Sequence, residues 1–307
     1  MAKGMKTKIL VVGCKGVGKG NFIGQITGSQ MSLSNRSHRE PLGSYSVKFD
    51  EKRPLDGAIF EAIPFDAEQS RISPADVLYE LAEDLKHSYK EKTRIPGVVL
   101  VHHVTDETPD QRTLDAWQLL FDILGEAYMP HLTIVTTKWR EVGLEVAEQR
   151  ERQLIEHWMP FLKHGARLRR FHGDMNFESR EEAVSVVQDI LPLEPILPHL
   201  TQELCVWKRK LGDTTAGART AERMRLDLAA EQKRKARLVR AAEQARLRGW
   251  DDVHTAKKVE IVHIERWLAK LSRGIDCLGG QQRFHEPWYK RGSGVEGSVL
   301  GTAWSLF

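Results

Sequence analysis

Only three cysteines, Cys14, Cys205 and Cys277, occur in 307 residues. They are too few and too scattered for a disulfide framework or a structural zinc site, and such usage fits a reducing compartment. Long apolar runs are also missing. Stretches such as Ile9 to Val12 and Val98 to Val101 fall far short of the ~20 residues that a membrane-spanning helix needs. No apolar signal segment opens the chain. Ala2 stands where myristoylation needs glycine, and Trp304-Ser305-Leu306-Phe307 is not a prenylation box, so neither common lipid anchor is written in. The expected location is cytoplasmic. No internal repeat is evident, and a formal charge of +4 does not by itself call for nucleic acid.

What is present is an ordinary globular balance, 41% hydrophobic and 29% charged. It suits one core of about two hundred residues with an appendage. Lys8 to Val12 is a β-branched apolar run that stops at Gly13, which predicts a buried strand. After a glycine-rich loop, Phe22, Ile23 and Ile26 recur at helical spacing until Gly28-Ser29. Tyr45 to Phe49 and Ala58 to Ile63 are predicted as neighbouring strands. Ser73-Pro74 then opens a helix whose apolar face is Val77, Leu78, Leu81 and Leu85. Strands are predicted over Val98–His103, Leu132–Thr136 and Arg167–Phe171, with helices over Leu114–Leu124, Val146–Trp158 and Glu181–Leu191. Strands alternating with helices predict a mainly parallel sheet covered on both faces, with its site in the loops that follow the strands.

Pro192, Pro195 and Pro198 interrupt this alternation and mark a hinge. The division expected is residues 1–195, a helical and basic extension over 196–273, and a loosely ordered tail over 274–307. Between Arg219 and Arg248 ten basic side chains face four acidic ones. Met224, Leu228, Glu231, Lys235, Leu238, Ala242 and Ala245 fall at heptad-like coiled-coil spacing. Two charged members argue against a stable self-associating coiled coil and for a solvated helix. Ile261, Ile264, Leu268 and Leu271 form a cleaner stripe that should pack on the neighbouring helix or the sheet. Lys233-Arg234-Lys235-Ala236-Arg237 has the charge to meet RNA, DNA or an anionic membrane, yet nothing singles these out. Without interleaved aromatics it is not a platform for single-strand stacking.

Gly13-Cys14-Lys15-Gly16-Val17-Gly18-Lys19 satisfies GxxxxGK between a strand and a helix, the setting of a phosphate-binding loop. Its glycines let backbone N–H groups turn toward phosphate oxygens. Lys19 brings a positive charge, and the helix N-terminus adds its own partial charge. Lys15 either reaches phosphate or stays solvated, and Asn21 lies in the first helical turn. The next position calls for Ser or Thr, whose hydroxyl ligates Mg2+. Gly20 stands there instead, so one ligand is lost and magnesium should be held weakly or not at all.

This loop resembles, together with Glu61-Ala62-Ile63-Pro64-Phe65-Asp66-Ala67, Val101-His102-His103-Val104-Thr105-Asp106 and Val135-Thr136-Thr137-Lys138-Trp139, the fungal G-domain-containing proteins. Those belong with the immunity-associated and septin-like GTPases. The resemblance spans roughly residues 6–240 and includes Thr215-Ala216-Gly217. It implies a three-layer α/β phosphate-loop domain of the GTPase type with a C-terminal helical extension, binding GTP or GDP. The matching motif places Glu61 where the family has an aspartate that holds magnesium through water. It places Pro64 where a glycine N–H contacts the γ-phosphate, and proline has no N–H to give. A switch threonine is missing, because residues 29–57 contain no Thr; Ser34, Ser37 and Ser44 are the imperfect stand-ins. Thr137-Lys138-Trp139-Arg140 carries Arg where guanine recognition uses a carboxylate. Lys138 can still lie along a base, Trp139 either stacks on it or packs into the core, and His172 follows the last strand on the base side.

Two readings follow. One is a nucleotide-binding protein with very slow or no hydrolysis, its loop residues being Gly13 to Asn21. The other is a pseudo-GTPase that has lost nucleotide and meets a protein partner through its C-terminal helices. An active ATPase is a third reading, with Glu61 as the only candidate catalytic carboxylate. His102 and His103, adjacent in a strand, are expected to point to opposite faces and so not to chelate one metal. Asp106 is expected to cap a loop.

Overall fold

In a computed structural model the described residues are 7–27, 43–47, 57–61, 73–173 and 177–284. Six strands form one sheet in the order β2-β3-β1-β4-β5-β6. They are β1 (Thr7–Val12), β2 (Gly43–Val47), β3 (Gly57–Glu61), β4 (Arg94–His103), β5 (Leu132–Thr137) and β6 (Arg167–Arg170). All pairings are parallel except that of β2 with β3, whose register runs from Gly43 beside Glu61 to Val47 beside Gly57. A strand pair joined by a short connection, followed by crossovers through helices, produces this single antiparallel edge.

Side chains of the central strands alternate between two cores, as the two-residue period of a strand requires. Ile9 and Val11 of β1 and Val99 and Val101 of β4 pack beneath α1 (Lys19–Thr27) and α5 (Phe177–Ile190), with Phe22, Ile23, Val187 and Ile190. Leu10 and Val12, with Val98 and Leu100, face the other way. They meet α2 (Pro74–Lys90), α3 (Gln111–Leu124) and α4 (Leu144–Leu162) through Leu78, Leu120, Trp117 and Trp158. The chain therefore has a three-layer α/β fold, a mainly parallel sheet covered by helices on both faces, with C-terminal helices added.

Local signals account for the helix ends. Ser73 caps α2 by accepting from the Asp76 N–H at 3.2 Å, and the Asp76 carboxylate accepts from the Ser73 N–H at 3.0 Å, a reciprocal box with Pro74 in the first turn. Asp110 caps α3 through the Thr113 N–H at 2.8 Å. At the foot of β1 the Lys8 ammonium is buried and ion-pairs with Asp84 of α2. Burial lowers the Lys8 pKa against the opposing pull of that carboxylate.

Beyond α5 the chain passes through α6 (His199–Thr201) and a wider turn over Gln202–Val206 into α7 (Thr215–Leu247) and α8 (Asp251–Leu278). The fully buried Glu203 accepts from the Thr215 N–H at 2.9 Å and from Arg209 at 2.8 Å, anchoring the start of α7. The heptad-spaced positions of α7 are covered, not solvated. α8 returns antiparallel along them, and the two charged members do not disrupt the seam because Lys235 pairs with Glu265 of α8 at 2.7 Å and Glu231 with Arg234 at 3.6 Å. Ile264 and Leu271 are buried as the stripe of α8 predicts, and that helix continues past residue 273 to Leu278. Arg219 grips Asp122 of α3 at 2.6 Å, and Arg273 lies 3.7 Å from Asp76 of α2. The hairpin is thus seated on α2 and α3. Residues 285–307 of the expected tail lie outside the described residues.

Candidate phosphate-binding site

β1 ends at Val12 and α1 begins at Lys19, so the loop between them leaves the carboxyl edge of a central strand. Gly13, Gly16 and Gly18 take φ of +148°, +81° and +100°, values at which a side chain is strained. A Cβ at Gly13 would also run into the Val101 carbonyl of β4, whereas the Cβ direction of Gly16 is open. The loop is therefore tight at its root and clear at its crest, the form a backbone needs to approach phosphate oxygens.

Lys19 is 4% exposed, and its ammonium donates to the carbonyls of Gly13 at 2.9 Å and Cys14 at 2.6 Å, closing the loop on itself. Val17 is buried under the loop, Cys14 and Gly20 are half-buried, and Lys15, Gly16 and Asn21 are exposed. The Asn21 amide donates to the Gly173 carbonyl at 2.7 Å, which ties the first turn of α1 to the chain after β6.

Glu61 closes β3, with its backbone at the expected strand end and its side chain outside the described residues. Pro64, Phe65, Asp66, Ser34 and Ser37 lie outside them entirely, and of Ser44 only the backbone in β2 is described. Among the described residues no group of three or more His, Cys, Asp or Glu side chains is placed to hold a metal. Gly20 stands at the hydroxyl position, so the residue after Lys19 offers no side-chain oxygen.

On the other side of the loop Lys138 takes φ +62°, and its ammonium lies 3.4 Å from Glu141. Trp139 is 3% exposed, its indole N–H donates to the Thr136 carbonyl at 3.2 Å, and the Arg170 guanidinium sits 4.3 Å from the ring centroid. With no ring face open to a base, packing is the role its position fills. Arg170 is fixed in turn by the buried Glu151 at 2.9 and 2.5 Å. His172 directs both its backbone N–H and its Nδ1 to Glu182, at 2.9 and 2.7 Å, and is partly exposed.

Two positioning groups have no separate signal in the sequence. Thr137 donates to the Val17 carbonyl at 2.6 Å, supporting the loop from β5. The Glu151–Arg170–Trp139 stack joins α4, β6 and the β5 end. A Thr at a strand end and an Arg in a weak strand are too common for either contact to be inferred without the fold.

The histidine pair differs from expectation. The rings of His102 and His103, the last two residues of β4, are stacked with centroids 5.0 Å apart. His102 is buried edge-on against Trp117 and Trp158. Burial, then the charge of His103, bring its pKa down to about 3. Asp106 faces His103 Nε2 at 3.4 Å, and Asp110 caps the helix that follows.

No family model and no curated protein matches the sequence. Among solved structures the chain is similar to Toc33 from Arabidopsis thaliana in complex with GDP and Mg2+. The identity is 13% and the TM-score 0.47, over 60% of this chain and 82% of that one. It is also similar to translation elongation factor SelB from Methanococcus maripaludis in complex with the GTP analogue GppNHp, at 14% identity and TM-score 0.40, over 64% of this chain and 36% of that one.

Proposed function

We propose that this chain is a nucleotide-binding protein whose Gly13–Asn21 loop holds the phosphates of GTP or GDP, with very slow or no hydrolysis. The observation that carries this reading is the loop itself, a glycine-built cradle closed by a buried Lys19 at the carboxyl edge of a parallel sheet. Gly20 in place of a hydroxyl supports weak magnesium binding or none, and the Pro64 substitution supports the loss of a γ-phosphate switch. The guanine preference and the placement near the fungal G-domain-containing proteins rest on motif resemblance. On this reading residues 1–195 bind nucleotide in the cytoplasm and the helical arm meets a protein partner.

Arg140 at the carboxylate position and the closed ring of Trp139 favour a second reading, a pseudo-GTPase without nucleotide. Thermal melts of the wild type and Lys19→Ala with GTP, GDP and ATP, each with and without magnesium, separate the two. A ligand at a hundred times its Kd stabilises the native state by about 2.7 kcal/mol. The first reading expects that rise for the wild type with GTP and GDP, indifferent to magnesium, and none for Lys19→Ala. No rise with any nucleotide, in protein shown by mass spectrometry to be free of ligand, supports the second. Multiple-turnover phosphate release that Lys19→Ala abolishes contradicts slow or absent hydrolysis. Its collapse in Glu61→Gln would make Glu61 catalytic.

A further inference from the structure

Between α2, α3 and α7 lies a cleft of about 370 Å³, within the roughly 300–1,000 Å³ of ligand-binding clefts. Its apolar lining comes from Val77 of α2, Ala116 and Leu119 of α3, Met224 and Leu226 of α7, and Trp267 of α8. Among the charges around it, Arg223 pairs with Asp115 at 3.0 Å and with Asp227 at 3.2 Å. At Leu226 and Ala230 the cleft meets a second groove, along α7, lined by Lys233, Arg234 and Arg237.

Positions 226, 230, 233, 237 and 240 fall on one line of a helix, and on α7 this line faces away from the seam with α8. Leu226 is 61% exposed, and Ala230, Lys233, Arg237 and Arg240 are exposed with it. Arg234, beside the line, pairs with Glu260 at 2.7 Å. Among the described residues no ion pair engages Lys233, Arg237 or Arg240. From 226 to 240 the line runs about 21 Å, close to four helical turns. It is apolar and concave at one end and cationic along the rest.

The chemistry of the occupant follows from that division. A phosphodiester chain has no apolar side chain to offer the cleft and would find no aromatic on the stripe to stack against. A flat lipid surface cannot reach a floor walled by α2 and α3. A helix laid along α7 can fill the cleft with apolar side chains and place carboxylates along the cations. We propose that the cleft and stripe form a docking groove for an acidic amphipathic helix of a partner protein. Leu226, Leu119 and Trp267 receive its apolar face, and Lys233, Arg237 and Arg240 receive its carboxylates.

The test uses the full chain and a fluorescein-labelled amphipathic peptide with leucines on one face and glutamates beside them. Its control is a twin with lysine for every glutamate. Fluorescence anisotropy should show binding of the acidic peptide alone, weakened at least about tenfold between about 50 and 300 mM salt. The combined variant Lys233→Glu, Arg237→Glu and Arg240→Glu should weaken it by a similar factor. Leu226→Asp, a separate change at an exposed position, should weaken it as well. Circular dichroism should leave both variants as helical as the wild type. No binding of the acidic peptide, equal binding of its lysine twin, or binding that neither variant weakens overturns the proposal. So does capture of duplex RNA or phosphatidylserine vesicles by the stripe in place of the peptide.

Discussion

The Thr137 hydroxyl, on the last residue of β5, donates to the Val17 carbonyl in the middle of the phosphate loop at 2.6 Å. The loop is thus held from β5 by a side chain as well as by its own backbone, and a Cβ at Gly18 would press on the same hydroxyl at 3.2 Å. Thr137→Val keeps the shape and removes the donor, leaving a buried carbonyl short of a partner at a cost of about 1–3 kcal/mol. Lower thermal stability is expected, with GDP affinity reduced about five- to thirtyfold as the cradle loses its set form. Calorimetric titration and a melt of the same preparation test both effects. Unchanged values would mean that the hydroxyl does not anchor the loop.

Gly20 lies where the phosphate-loop motif has a hydroxyl, at the second residue of α1. Gly20→Ser restores the missing ligand, and it removes a glycine that costs about 0.5–1 kcal/mol relative to alanine inside a helix. The variant is expected to bind GTP more tightly with magnesium than without, while the wild type is indifferent. Parallel titrations with and without the metal decide this. Equal magnesium dependence in the two proteins would show that the hydroxyl position does not limit metal binding.

His102 sets a pH dependence. Its Nε2 is buried and has no hydrogen-bond partner among the described residues, and its pKa is lowered from 6.5 to about 3, first by burial and then by His103. The unfolded chain takes up a proton near pH 6.5, and the folded chain resists doing so until about pH 3. Stability from this group is therefore complete above 6.5 and is lost as the pH falls toward 3, at about 1.4 kcal/mol per pH unit. His102→Phe keeps an aromatic ring between Trp117 and Trp158 and removes the titration. Denaturant midpoints from about pH 7 to about pH 4 should fall more steeply for the wild type than for the variant. Parallel curves would show that the ring is protonated in the folded protein.

The layers of the fold are legible in the sequence because its strongest signals are local. β-branched runs, the Ser73-Pro74 cap and the glycine punctuation each act over a few residues, and the phosphate loop is contiguous. What the sequence leaves open is decided by contacts between distant segments. Trp139 looks free to stack until Arg170, carried in from β6 and held by Glu151 of α4, covers its ring. The seam of α7 looks solvated because Lys235 reads as a charge facing water. Its partner, Glu265, lies on another helix. His102 and His103 both lie in β4, and the stacking of their rings at its last two positions is a contact that strand alternation does not announce.

Gly274 is where the hairpin touches the α2 start. A Cβ there would lie 2.5 Å from the Met224 methyl, 3.0 Å from the Ala75 Cβ and 3.0 Å from the Ser73 hydroxyl that caps α2. The Met224 methyl ends a flexible side chain and can give way, whereas Ala75 and the capping Ser73 sit on the first turn of a packed helix. Gly274→Ala is therefore expected to be mild, its gain in helix propensity of about 1 kcal/mol offsetting part of the clash. Gly274→Val adds branches that Met224 alone cannot accommodate, and overpacking of this kind costs about 1–3 kcal/mol. Hydrogen exchange should then quicken at the first turn of α2 and across the 271–278 end of α8, while β1 and β5 keep their protection. Uniformly faster exchange over the whole chain would mean that the contact supports the global fold and not the seat of the hairpin.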